Sequence, residues 1–338
     1  MSGPRSGSHA GGAIGYIQTV TGPIAPETLG MTYMHEHLLC DQRRCRADGL
    51  RRPGGEDTLM VLDDLDVAVR EMREIKQLGA EALVEVTMQA WGRDVARLRH
   101  ISERSGVKIV ATSGFYVEHC HPADVSERTV DELSDDLVRE IVDGVETTGV
   151  RTGLLKSAIS RPVVEGPEEK CARAVARAHL ATGATITTHT SGSSRFEIRG
   201  GNIGMLLLDV LESEGVDPSR VIIGHVDENA DIRNLERLCR RGAYVQFDVI
   251  GKHHWMLDQT RADLIAELVR RGYVAHLLLA TDRARKSELK SYGGPGYAYL
   301  VTHFVPMLHE AGLSEEIIRE VTVTNPRHAL TLRAPAGG

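Results

Sequence analysis

Eight short apolar runs recur along the chain, each followed by a polar or amphipathic stretch, and this alternation limits the possible architecture more than any other feature. The runs are Thr32–His35, Ala82–Thr87, Lys108–Ser113, Gly153–Ser157, Thr185–His189, Val221–His225, Tyr244–Asp248 and His276–Thr281. They are rich in Val, Ile and Leu and bounded by Gly or polar residues, the pattern of strands buried on both faces of a parallel sheet. Between them, Leu65–Leu78 carries Leu65, Val69, Met72 and Ile75 at helical spacing and stops at Gly79, a residue suited to a helix C-terminus. Glu168–Thr182 is Ala-rich and ends at Gly183, and Ile203–Glu214, Asn234–Arg241, Arg261–Arg271 and Gly296–Glu310 supply later helices, with Asn325-Pro326 opening a closing segment. Eight strand–helix units in series predict an α/β fold closed as a (β/α)8 TIM barrel. The 338 residues accommodate one such barrel, which needs roughly 250 or more. The alternative, an open dinucleotide-binding layer, lacks its GxGxxG signature after the first run. Residues 16–338 are therefore expected to form one domain. Residues 1–15, MSGPRSGSHAGGAIG, read as a leader or expression remnant outside it.

Strands buried on both faces should be apolar to their ends, and here several are not. The first ends in His35-Glu36-His37, the fifth in His189, the sixth in His225 and the eighth in Asp282, while Lys156 interrupts the fourth. In a barrel of this kind, functional groups sit at the C-terminal ends of strands. Residues two apart on a strand share a face, so His35 and His37 can share a cation while Glu36 points away. A lone HxH pair or a lone Asp after a strand is commonly an ordinary hydrogen-bonded or turn residue. Four imidazoles and a carboxylate at strand ends, plus a lysine facing a barrel interior, form a different proposition. Such a lysine needs a partner or loses its charge, and imidazole with carboxylate suits zinc or another first-row divalent ion.

Composition excludes other classes. The formal net charge is −7 and aromatic content is 4%, which disfavours nucleic acid as the main partner. No run of about 18 apolar residues is present and the N-terminus has no signal-peptide core, so neither a membrane span nor export is expected. Five scattered cysteines without a CxxC pair read as free thiols in a reducing cytoplasm.

The ordered set Val20-Thr21-Gly22-Pro23-Ile24, Met34-His35-Glu36-His37, Arg93-Asp94, Gly153-Leu154-Leu155-Lys156, Thr187-Thr188-His189-Thr190, Ile223-Gly224-His225 and Asp282 resembles the phosphotriesterase-like family of the amidohydrolase superfamily. The match extends over nearly all of Ile17–Leu332. The resemblance implies a homodimeric hydrolase with two divalent cations, zinc first with manganese and cobalt as alternatives. His35, His37 and Asp282 would hold one ion and His189 and His225 the other. Lys156, carboxylated by carbon dioxide, would bridge them. In that scheme Asp282 orients the water nucleophile and carries its proton to the leaving group.

Two positions depart from the family. Asp248 is followed by Val249 where organophosphate-hydrolysing and related branches place a histidine or basic residue, and the acidic residue three beyond His225 is Glu228 where Asp is usual. Asp248…Lys252, Asp282…Arg285 and Ser291-Tyr292-Gly293-Gly294 are similar to the phosphosugar-lactonase branch, which implies that Lys252 and Arg285 grip an anionic substrate group. Glu288 stands where that branch has Tyr. Lys290 and the backbone of the following Gly-rich turn are further candidates for holding the anion, and Tyr116, at the end of the third strand, is placed to line the pocket. The expected substrate is a lactone, phosphorylated or otherwise anionic, or a related ester or amide. A phosphotriester substrate and a metal-containing binding protein without turnover are the alternatives.

Overall fold

The computed structural model describes residues 15–45, 56–191, 203–228 and 230–332. The leader expected over residues 1–15 lies outside these apart from Gly15. Eight parallel strands form a single sheet in chain order: β1 Met31–Glu36, β2 Ala80–Glu85, β3 Lys108–Gly114, β4 Leu154–Ala158, β5 Ile186–His189, β6 Val221–Ile223, β7 Tyr244–Phe247 and β8 Leu277–Leu279. Each matches an apolar run of the sequence. The helices are α1 Leu65–Gln77, α2 Val95–Ser105, α3 Val130–Val142, α4 Gly166–Thr182, α5 Ile203–Ser213, α6 Ile232–Arg241, α7 Asp258–Arg270 and α8 Val305–Glu310, followed by two short C-terminal helices, Glu315–Arg319 and Asn325–Leu330.

The ladder runs unbroken from β1 to β8, and the barrel is closed by different means. The Asp282 N–H donates to the His35 carbonyl at 3.2 Å. The fully buried Glu36 carboxylate then crosses the seam, accepting from the Thr281 N–H at 2.6 Å, the Thr281 hydroxyl at 2.7 Å and the Arg283 N–H at 2.9 Å. Glu36 thus does what a longer ladder between β1 and β8 would do. Burial raises its acid group to about 7, against the pull of those donors.

Met34, Ala82, Val84, Val86, Val110, Leu154, Ile222 and Leu278 form one buried cluster with Ile17, Leu29 and Leu330. Because these side chains come from six different strands, they fill the barrel interior and leave only its C-terminal end for chemistry. Ile17–Thr19 pairs antiparallel with Gly22–Ile24 and joins the barrel wall through the Val20 N–H to the Ile109 carbonyl at 2.8 Å. One glycine is demanded by packing: a Cβ on Gly114, at φ +136°, would lie 2.1 Å from the Lys156 carbonyl oxygen.

The expected helix Gly296–Glu310 starts at Tyr299 and runs through a π-helical turn over Leu300–Phe304 directly into α8. Sequence periodicity passed over α2 and α3. The second carried a legible signal, a capping box in which Thr129 and Glu132 bond reciprocally, stabilising a helix start.

Candidate active site

Beyond the C-terminal strand ends the chain encloses a cavity of about 430 Å³ whose wall includes His37, Lys156, His189, His225 and Asp282. His35 is buried directly beneath it. The six residues singled out as metal ligands are thus brought together. His225 and Asp282 lie just past their strands with φ of +54° and +46°, a region costly for non-glycine residues. Among the described residues Glu146 alone shares that feature, so the strain concentrates where these two side chains are turned inward.

Three of the four histidines, His35, His37 and His225, are held from behind. The His37 Nδ1–H donates to the Thr87 hydroxyl at 2.7 Å, and that hydroxyl donates to Glu85 at 2.6 Å. Asp248 lies 2.8 Å from His225 Nδ1 and 3.3 Å from His35 Nδ1, and also accepts the His225 N–H at 3.0 Å. A carboxylate or hydroxyl on Nδ1 fixes the tautomer that leaves Nε2 as a lone-pair donor. On that opposite side, Asp282 Oδ1 lies 3.4 Å from His37 Nε2 and 3.9 Å from His35 Nε2. Among the described residues, two groups of donors are close enough to hold an ion, His35–His37–Asp282 and His35–His225–Asp248. Asp248 engages the Nδ1 side of both its histidines, so the first group is the better ligand set and Asp248 its support. His225 Nε2 and His189 Nδ1 approach to 2.6 Å, so a proton on one ring nitrogen is shared with the other.

Burial lowers His35 well below the usual histidine value, helped by the neighbouring Lys156 and His225. His189 is lowered likewise, by burial and then by His225. Burial also opposes charge on His225, but Asp248, aided by Asp282 and Glu228, outweighs it and pushes that imidazole up to about 9. Lys156 is completely buried, donates to the Val86 carbonyl at 3.3 Å and is driven down to about 8 by burial. Asp282 is held well below the carboxylate range although burial works against it; Lys252, a hydrogen bond from His37 and the charge of His225 account for this.

The residues expected at the substrate end have separate fates. Tyr116 lines the cavity, and its hydroxyl is 3.1 Å from His189 Nε2. Lys252 lines it too, but its amine lies 2.6 Å from Asp282 Oδ2 and 3.6 Å from Glu288. Arg285 is exposed at the rim of the same cavity. Glu288 is committed to its own loop, accepting the Ala284 N–H at 2.8 Å and the Arg285 N–H at 3.1 Å. The expectation for the turn beyond it is corrected: the Lys290 and Ser291 N–H groups both donate to Glu71, and the Lys290 amine pairs with Glu74. Those donors are consumed by α1. Arg283 is also withdrawn, buried and donating to the carbonyls of Gly296 and Ile250. Arg93 braces the wall, bonded to the Thr112 carbonyl at 2.8 Å and to Glu140 at 2.6 Å, while Asp94 caps α2.

Sequence reasoning missed the supports Asp248, Thr87 and Glu85, although polar residues inside otherwise apolar strands were a usable sign. It also missed the brace behind Asp248. The fully buried Arg261 donates to Asp227 at 2.7 Å and to Asp258 at 2.8 Å. Asp227 in turn accepts the Asp248 N–H at 3.1 Å.

Comparison with known proteins identifies the family. The model of the phosphotriesterase family matches residues 15–330. The phosphotriesterase homology protein of Escherichia coli is 33% identical over 88% of this chain and 96% of its own. Its crystal structure, complexed with phosphate in the active site, superposes with a TM-score of 0.81 and covers 89% of this chain and 98% of that one, at 32% identity. The N-acetyltaurine hydrolase of Rattus norvegicus is 28% identical over 94% of this chain and 99% of its own. The lactonase Lmo2620 of Listeria monocytogenes superposes with a TM-score of 0.84 at 28% identity, covering 94% of this chain and 100% of that one. The chain belongs to the phosphotriesterase family, a family of hydrolases.

Proposed function

We propose that the chain is a binuclear metal-dependent hydrolase that cleaves a carbonyl bond, a lactone or a related ester or amide, in a small anionic substrate. The observation that carries this reading is the convergence of the Nε2 atoms of His35 and His37 on Asp282 Oδ1, beside the His189–His225 pair and a buried lysine. The donor chemistry fits two first-row divalent cations, zinc with manganese or cobalt as alternatives. His35, His37 and Asp282 would hold one and His189 and His225 the other, with Lys156 as a carboxylated bridge. Such cations, when bound, supply Lewis acidity toward the substrate oxygen and a water acidic enough to ionise near neutral pH.

The chain's own residues do the rest. Asp282, tied at Oδ2 by Lys252, keeps Oδ1 toward the histidines. There it takes the proton of the attacking water and returns it to the leaving group. Tyr116 presents its hydroxyl beside His189 on the substrate wall. Lys252 and Arg285 lend positive charge where the anionic group enters, and an arginine fork suits phosphate, sulfonate or carboxylate.

Anionic carbonyl substrates are favoured over neutral phosphotriesters because these cations gain nothing from an uncharged ligand. A phosphate in the Escherichia coli relative's active site and N-acetyltaurine hydrolysis by another relative support the same choice. The test is turnover by the metal-loaded chain on a panel of anionic lactones, N-acyl amino sulfonates and carboxylates, their neutral analogues and a neutral phosphotriester. The reading expects the anionic carbonyl compounds to react fastest. Preference for the phosphotriester, or no turnover of any compound by a fully loaded chain, contradicts it.

A further inference from the structure

Two cysteines, Cys45 and Cys120, face the same cavity. Cys45 ends the short helical turn Gln42–Cys45, and Cys120 ends the turn Glu118–Cys120. The two turns pack against each other. The Cys120 thiol reaches the Cys45 carbonyl at 3.8 Å and the Cys45 thiol reaches the Ala90 carbonyl at 3.7 Å. Both lie in one small cluster with Val117 and Ala158, against Trp91 and Tyr116. Each is only about one-twentieth exposed, yet both line the cavity wall, so small solutes that enter it reach them. Cys40, Cys171 and Cys239 are buried away from that wall.

A second feature marks the pair. The Trp91 indole N–H is buried without a hydrogen-bond acceptor, although a buried indole N–H ordinarily finds one. Its ring is held between His37, at a centroid distance of 5.2 Å, and Tyr116, at 4.8 Å, and packs against the cluster that contains both thiols. The Cys120 thiol, with help from Trp91, holds Cys45 below the ordinary thiol value, while Cys120 itself is raised by the same partnership. One nucleophilic sulfur beside one protonated sulfur is the arrangement a dithiol needs in order to close on itself.

We propose that Cys45 and Cys120 form a redox-active dithiol in the wall of the substrate cavity, a modification site for peroxides and small-molecule disulfides. With hydrogen peroxide, the Cys45 thiolate attacks one oxygen and the O–O bond breaks. This leaves a sulfenic acid on Cys45 and, after proton uptake, one water. The Cys120 sulfur then attacks the Cys45 sulfur, the S–O bond breaks and a second water leaves. Two thiols and one peroxide thus become one disulfide and two waters. With a small disulfide, Cys45 forms a mixed disulfide by expelling one thiol, and Cys120 resolves it by expelling the other. In both routes the new bond ties the two turns together at the rim near Trp91.

The experiment treats the full-length, metal-loaded chain with dilute hydrogen peroxide or oxidised glutathione and then alkylates the remaining thiols. The sequence holds five cysteines, and the proposal expects two to be lost, a Cys45–Cys120 cross-linked peptide, and full recovery with dithiothreitol. The C120S variant should halt at a Cys45 sulfenic acid, trapped by dimedone, or at a stable glutathione adduct on Cys45. The wild-type peptide map stands without that variant should it fold poorly. Retention of all five thiols under conditions that oxidise a control dithiol overturns the proposal, as does oxidation of Cys40, Cys171 or Cys239 ahead of this pair. Because the readout is mass and not turnover, the result is independent of the hydrolase reading.

Discussion

At Asp282, burial and ionisation oppose each other. The carboxylate is largely buried at the cavity wall, which favours its neutral form, yet Lys252 and the histidines keep it charged. A group held so far below its usual range is ionised across the neutral region, as a metal ligand and a proton acceptor both require. Asp282→Asn keeps the shape and removes the acceptor, so kcat should fall by roughly 10²- to 10⁴-fold, with an unchanged circular dichroism spectrum. Near-wild-type kcat removes Asp282 from the proton path. Arg285 makes a different prediction. If it holds the anionic group in ground and transition state alike, Arg285→Ala raises KM more than it lowers kcat. The loss of one charge-assisted contact is about 1.5–3 kcal/mol, roughly 10- to 150-fold. A neutral analogue should be nearly indifferent to the change, and equal losses on both substrates speak against a binding role. At this scale the sequence was legible wherever a residue broke a strand's apolar pattern: His35, His37, Lys156, His189, His225 and Asp282 all stood out in that way. What those residues lean on was not. That Asp248 serves His225 and His35 at once, or that Thr87 passes the His37 proton's bond to Glu85, depends on neighbouring strands being side by side.

Among the elements, the join between β1 and β8 depends on a single side chain. Each of the three donors to Glu36 meets an oxygen. In Glu36→Gln one of those oxygens becomes an amide that faces an N–H group, leaving a buried donor unsatisfied. The cost should be roughly 1–3 kcal/mol in chemical denaturation, measured above the Glu36 value of about 7. Because Thr281 and Arg283 flank Asp282, weakened metal retention should accompany it. Unchanged stability and metal content would place the closure of the barrel elsewhere. All eight strands were visible from composition alone, since burial on both faces leaves little room for polar residues. Helices α2 and α3 were harder, because a helix that buries one face against a sheet keeps many charged residues, and Val95–Ser105 offers only Val95, Leu98 and Ile101 as a stripe. The basic loops were misjudged for the same reason at longer range. Lys290 looked free in sequence, but Glu71 and Glu74, more than 200 residues earlier, already claim that turn.

For the whole molecule, the pH dependence of folding follows from imidazoles that the fold keeps neutral. His179 and His276 are lowered chiefly by burial. Their folded values lie below those of the unfolded chain, near 6.5, so the unfolded state binds protons first as pH falls. The stability they contribute is complete above that value and is lost as pH drops through the folded one. Their contribution to the denaturation midpoint should therefore decline from about pH 7.5 to about pH 5, opposite in sign to that of Glu36. His179→Asn should flatten that slope, since its amide can replace the Nδ1–H that donates to the Ala184 carbonyl at 2.7 Å and cannot titrate. An identical slope in the variant would assign the decline to other groups. The most direct test of the central claim is a crystal structure of the metal-loaded, turnover-competent chain with anomalous data at the metal edge. The account predicts two peaks roughly 3.5–4 Å apart, ligated by His35, His37, His189, His225 and Asp282, with continuous density beyond the Lys156 amine reaching both. A single peak in a fully active sample, with Lys156 ending at a bare amine, would contradict it.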